Sequence, residues 1–329
     1  MHPEERLEGR SEERHLTRWL PSALLDLPPL EPVFALRTPH RVCLQSMPSS
    51  RHVLRTLLQR WPFEITVELD TEEAPLRHVP IHDVHEARLT PDRPLEWNHY
   101  YWIIDGLQED LHAWSEDPAA ALARGRRRLD AVELTLRELR RGARCDLSVL
   151  QEVWAEKQKA QPEQLGYPSE PMQTLQQYVR GLTGHLIEHA SSRAFADWAR
   201  DLLEEAERRP GLGLPQLSAD DRRVLGLYLQ HRLLGCACLT APSGMIAGWH
   251  VLISSAVLAM WYAGLLVQCG HETDPDEALF ASLWMLDQGF WCDESLVHDV
   301  LHNLNASEYT SVDLATALTT AMRGAHSRT

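Results

Sequence analysis

The residues best suited to chemistry lie in one short stretch, His78-Val-Pro-Ile-His82-Asp83-Val-His85-Glu86. Its imidazoles and carboxylates form a donor set for zinc or iron, because neutral ring nitrogen and carboxylate oxygen both ligate such ions. The run is punctuated by Pro80 and has no identifiable further ligand, so loop histidines facing water are the simpler expectation and no metal site is assigned. Two more pairs sit at helical spacing, His185 with His189 (HLIEH) and His298 with His302 (HDVLH). Residues four apart share a helix face, and di-iron helical proteins place Glu-x-x-His motifs on facing helices. Here the order is reversed, His185-x-x-Glu188, and 17 histidines make chance pairs common. A histidine-ligated metalloenzyme is accordingly the third functional reading.

Nucleophilic and phosphate chemistry have less to rest on. There is no G-x-S-x-G motif; Pro242-Ser243-Gly244 is expected to turn the chain and cap the helix that follows. Gly211-Leu212-Gly213 lacks the strand–turn–helix setting of a phosphate loop. Cys236 and Cys238 point apart on a helix, which argues against a shared metal. The remaining candidate is a pocket lined by Trp249, His250 and Trp284, in which His250 is the polar group inside an otherwise apolar segment. Aromatic residues at helical spacing are more often core, and that is the competing expectation for the tryptophans.

These residues belong to a region with an unusual charge pattern. From Leu233 to His271 there is no Asp, Glu, Lys or Arg. The most apolar window, Val251–Val267, falls short of the roughly 20 residues that cross a bilayer. It contains Ser254 and Ser255, and Pro242-Ser243-Gly244 divides the block into two helices. A buried core helix is the preferred reading over a membrane span.

The formal net charge of −15 argues against a nucleic-acid partner, which demands a dense cationic surface. The six cysteines (Cys43, Cys145, Cys236, Cys238, Cys269 and Cys292) form no CxxC pair and suit free thiols in a reducing compartment. Residues 1–19 are charged and lack the apolar core of a signal peptide, so a cytoplasmic location is expected.

The fold class expected is mainly α, a multi-helix bundle with a small N-terminal α+β portion. Three regions are expected: a charged arm and α+β subdomain over 1–96, a helical region over 97–209, and a C-terminal helical region over 218–329 around the apolar core helix. Strands are expected within Val33–Leu44 and over Phe63–Asp70, with a helix over Arg51–Trp61 between them; residues 71–96 read as proline-punctuated loop. Helices are expected over 97–114, 119–141, about 146–160, 170–190, 192–208, 221–239, 244–268, 274–291, 293–304 and 310–322. Ser218-Ala-Asp-Asp is a capping sequence for the helix it precedes.

Residues 98–141 (NHYYWIIDGLQEDLHAWSEDPAAALARGRRRLDAVELTLRELRR) and 222–320 (with RRVLGLYLQHRLLG and ALFASLWMLDQGFWCDESLVHDVL) carry helix order, lengths and apolar pattern that resemble the central and C-terminal helical regions of flagellin lysine-N-methylases and related cysteine-cluster proteins. The resemblance implies a helical scaffold that engages a protein or peptide. In that family an N-terminal cysteine group holds an iron–sulfur cluster, and the methylases use S-adenosylmethionine. Cys43 is the only cysteine in the first 140 residues here, so the cluster cannot be built and no cofactor or catalytic residue carries over. The leading expectation is a cluster-less relative that binds a protein or peptide, and the second a divergent S-adenosylmethionine-dependent lysine N-methyltransferase.

Overall fold

The computed structural model describes residues 34–37, 42–45, 81–83, 85–112, 118–138, 146–159, 171–208, 218–234, 244–272 and 274–291. The expected strand at 63–70, the helices at 51–61, 293–304 and 310–322, and the pair His298–His302 lie outside these residues. Among the described residues the protein is mainly α. Strands β1 (Phe34–Arg37), β2 (Val42–Gln45) and β3 (Ile81–Asp83) form a sheet of order β2-β1-β3. β1 runs antiparallel to β2, pairing Ala35 with Leu44, and parallel to β3, pairing Leu36 with His82. A second, antiparallel pair joins β4 (Ala87–Thr90) to β5 (Arg93–Leu95).

Strands β3, β4 and β5 correct the expectation of a loop over 71–96. Each is three or four residues long, too short for a period of two to stand out, and Pro94 lies inside one of them. Once folded, the alternation is plain in β4, where Ala87 and Leu89 are buried and Arg88 is exposed.

Among the described residues eight α-helices follow: α1 (Trp97–His112), α2 (Pro118–Glu138), α3 (Leu147–Lys159), α4 (Pro171–His189), α5 (Arg193–Arg208), α6 (Ala219–Leu234), α7 (Gly244–Gln268) and α8 (Pro275–Leu286). A π-helical turn, Asp287–Trp291, extends α8. The starts follow local chemistry. Pro118 opens α2, where its missing N–H would have had no helical partner. At α6 the Ser218 hydroxyl accepts from the Asp221 N–H (3.0 Å), and the Asp221 carboxylate accepts from the Ser218 N–H (2.9 Å). This reciprocal pair satisfies two backbone donors that the first turn leaves open.

Helix α7 is the axis of the fold. It packs against β4, α4, α5, α6 and α8, and against α2 where Trp249 lies on Gly125. By length and composition it could cross a membrane, yet 94% of its most apolar window is buried inside the protein. Its apolar residues wrap every side, the pattern of a helix enclosed by others. Ser254 and Ser255 fit because each hydroxyl donates to the carbonyl four residues back, to His250 (2.8 Å) and Val251 (2.9 Å). Gly244 begins α7 at φ 82°, and a Cβ there would stand 2.7 Å from the Leu89 backbone of β4. Gly270 (φ 75°) ends it in a Schellman motif, with His271 N–H donating to Leu266 C=O (3.0 Å) and Gly270 N–H to Val267 C=O (3.1 Å).

Candidate functional site

Among the described residues, three buried polar clusters lie between helices of this apolar core. The first joins α4 to α7. Tyr178 of α4 places its hydroxyl 2.7 Å from the Ser254 hydroxyl and 3.4 Å from Nε2 of His250. Further along both helices the Thr183 and Tyr262 hydroxyls meet at 3.0 Å. Burial, aided by the positive charge of Arg126, depresses the His250 imidazole from an ordinary 6.5 to about 4, so the ring is neutral at physiological pH. Burial raises the Tyr178 and Tyr262 phenols well above their usual range, against a smaller opposing effect of the Ser254 and Thr183 hydrogen bonds. Both phenols therefore remain protonated donors.

The second cluster joins α6 to the π-helical turn. Asp287 accepts a hydrogen bond of 2.6 Å from Tyr228 and pairs with Arg232 through the same carboxylate oxygen. All three side chains are buried. Burial opposes the charge on Arg232, but Asp287 outweighs it and holds the guanidinium charged. That cation also lies 5.1 Å from the Trp291 ring centroid and 5.5 Å from that of Tyr228. Asp287 opens this wider turn, and single π-helical turns inside α-helices are frequent at functional sites. Among the described residues, Arg232 Nε and Trp291 Nε1 are enclosed without a hydrogen-bond partner.

The third cluster ties α1, α2 and α3 together. Asp110 of α1 receives Arg128 at 3.1 Å and Arg124 at 3.5 Å, both from α2. The Arg128 guanidinium sits 4.3 Å from the Trp154 ring centroid of α3. Gly106 makes room, since a Cβ there would collide with that guanidinium. Burial raises the Asp110 carboxyl above its usual value, despite the opposing charge of Arg128.

The pocket expected from Trp249, His250 and Trp284 meets a divided arrangement. Trp249 is fully buried against Gly125, His250 turns to Tyr178, and Trp284 is 51% exposed on the outer face of α8. Among the described residues no ring contact or hydrogen bond joins Trp284 to the other two. His185 and His189 do stand together, with ring centroids 4.4 Å apart. His85 and Glu86 are exposed, and Glu86 pairs with Arg88 at 2.7 Å. No group of three or more His, Cys, Asp or Glu positioned for a metal occurs among the described residues.

Sequence reasoning missed Asp110–Arg128 and Arg232–Asp287. The second pair had a usable signal: Arg232 borders the charge-free block, and Asp287 is the single acid between Ala278 and Trp291. A lone charge in an apolar helix requires a partner inside the core. Comparison with family models, curated proteins and solved structures finds no match to this chain.

Proposed function

We propose that this protein is a helical module that binds a protein or peptide, a cluster-less relative of the flagellin lysine-N-methylases, and that the outer face of α8 is its docking surface. The supporting observation is the absence of charge on that face beyond Glu277 in its first turn. From Ala278 to Leu286 there is no charged residue, yet Ala281 and Trp284 are exposed and Met285 is partly so. Spacings of three and four residues put them on one stripe. Helix α5 shows what a solvated face of this protein looks like. Arg193, Asp197, Arg200, Glu204 and Arg208 cover it, with ion pairs such as Arg200–Asp197 at 2.7 Å and Arg208–Glu204 at 3.1 Å. Tryptophan is the residue type that most often dominates binding energy at an interface. The formal net charge of −15 favours a partner with basic residues around its apolar contact.

Photo-crosslinking tests this reading. Benzoylphenylalanine placed at Ala281 is expected to trap a discrete protein in the native host, whereas the same probe at Arg200 of α5 traps none. Trp284→Ser is expected to abolish the Ala281 adduct while leaving the helical circular dichroism unchanged. Equal adducts from both positions, or an adduct indifferent to Trp284, would sink the proposal. The resemblance also favours a second reading, a divergent S-adenosylmethionine-dependent lysine methyltransferase. Calorimetric titration with S-adenosylmethionine decides it, and no heat of binding at millimolar ligand removes it.

A further inference from the structure

Helix α4 carries two histidines where it ends. His185 and His189 are four residues apart, and their ring centroids stand 4.4 Å from each other with the planes tilted by 47°. Residues at that spacing share a helix face. His189 is exposed and His185 partly so, which keeps the pair within reach of solvent.

The separation of the rings carries chemical information. A late transition-metal ion binds imidazole nitrogen at about 2.0–2.1 Å, and the ring centroid lies about 1.1 Å further back. Two rings that meet one such ion at a right angle have their centroids about 4.5 Å apart, whereas the tetrahedral angle spreads them to about 5.2 Å. The observed 4.4 Å matches the right angle, the cis arrangement of tetragonal copper(II) or nickel(II). An ion takes one nitrogen from each ring and leaves the second to a hydrogen bond, so a further partner of either ring is compatible with binding.

The surroundings favour a cation independently of the rings. The pair stands at the C-terminal end of α4, the negative end of the helix dipole. Glu188 is exposed beside His189 and adds negative charge. Gly181 and Gly184 lie one turn before His185 and Glu188 on the same side. Glycine weakens a helix interior, and no close packing calls for it here, since a Cβ at either position would meet nothing within 4 Å. The two glycines leave this flank bare, with room for the waters of a hydrated ion.

We propose that His185 and His189 chelate one late first-row divalent cation at the surface of α4, copper(II) most tightly. Among the described residues no third His, Cys, Asp or Glu completes the set, so the other coordination positions fall to water or to a donor carried by a second molecule. This is an exchangeable binding site and not a catalytic centre. It asks nothing of the α8 face and stands or falls without it.

Copper(II) added at less than one equivalent to the whole nitrogen-15-labelled chain tests the assignment. The amide signals of residues 184–190 are expected to broaden first, and the electron paramagnetic resonance spectrum to show two imidazole nitrogens on the ion. Because the chain has 17 histidines, the two must also be shown to act together. His185→Gln and His189→Gln are each expected to weaken binding, read from the same amide signals, about tenfold or more, since losing one arm removes the gain of chelation. The double variant is expected to lose less than the sum of the two single losses. Broadening that begins elsewhere, fewer than two nitrogens on the ion, or single losses that simply add overturns the proposal. Should His185→Gln not fold, the unmodified protein and the variant at exposed His189 still decide it.

Discussion

Asp287 stands where water does not reach, and its donors Tyr228 and Arg232 both come from one helix, α6. Removing one partner of such a set is far more costly than never having built it, because the other charge is left buried alone. Asp287→Asn is expected to destabilise the fold by about 3–5 kcal/mol. Tyr228→Phe, which removes one neutral donor to the carboxylate, is expected to cost about 1.5–3 kcal/mol. Urea unfolding followed by circular dichroism measures both, and the order of the two effects is the critical result. His250 makes a pH-dependent contribution of definite sign. An unfolded imidazole protonates near 6.5, whereas the folded ring stays neutral down to about 4. Between those values the unfolded chain takes up a proton that the folded protein refuses, so stability falls as pH drops through this window, by up to about 3 kcal/mol. His250→Gln does not titrate and is expected to lose this part of the slope. Parallel stability curves for the two proteins from pH 7 to 4 would refute the assignment.

Packing between elements turns on glycines that ordinary helix propensity would reject. Alanine is favoured over glycine by about 1 kcal/mol inside a helix. At Gly125, however, the added Cβ would meet Trp249 at 2.4 Å. Gly125→Ala is expected to cost about 1–3 kcal/mol of net stability through overpacking. Combination with Trp249→Phe is expected to recover part of it, read from a double-mutant cycle. At the start of α6, Ser218→Ala removes the acceptor for Asp221 N–H and is expected to cost about 1 kcal/mol by the same unfolding measurement. The helices themselves were largely legible in the sequence. Ser218 and Asp221 announce α6, and Gly244 and Gly270 bracket α7 at the residues where the backbone turns left-handed. Strands β3 to β5 were not legible, since three or four residues carry too little pattern. Each charge of the buried ion pair stood out, but their pairing was hidden, because Arg232 and Asp287 lie 55 residues apart and only the fold joins them. His250 was legible as an isolated imidazole in an apolar helix. Its partners Tyr178 and Arg126 were not, since they arrive from other helices.

At the scale of the whole molecule, one apolar cluster of described residues extends from Ala87 in β4 to Trp291 in the π-helical turn. Its central member, α7, has neighbours on every side, so its amides cannot open without separating several helices. Hydrogen exchange across Val251–Leu265 is expected to proceed only through global unfolding and to be the slowest in the protein. Exchange there as fast as along the solvated helix α5 would contradict the arrangement. The position of α7 in the chain carries a further consequence. Helices α1 to α6 all precede it, and α2, α4, α5 and α6 reach their partner surface only when residues 244–268 are present. During synthesis those helices can pack on one another, but the apolar surface that the axis covers leaves the ribosome without its cover. The axis around which they close is made after them. Closure of the core is thereby deferred until residues 244–268 have emerged, and the nascent chain is expected to offer apolar surface to chaperones until then.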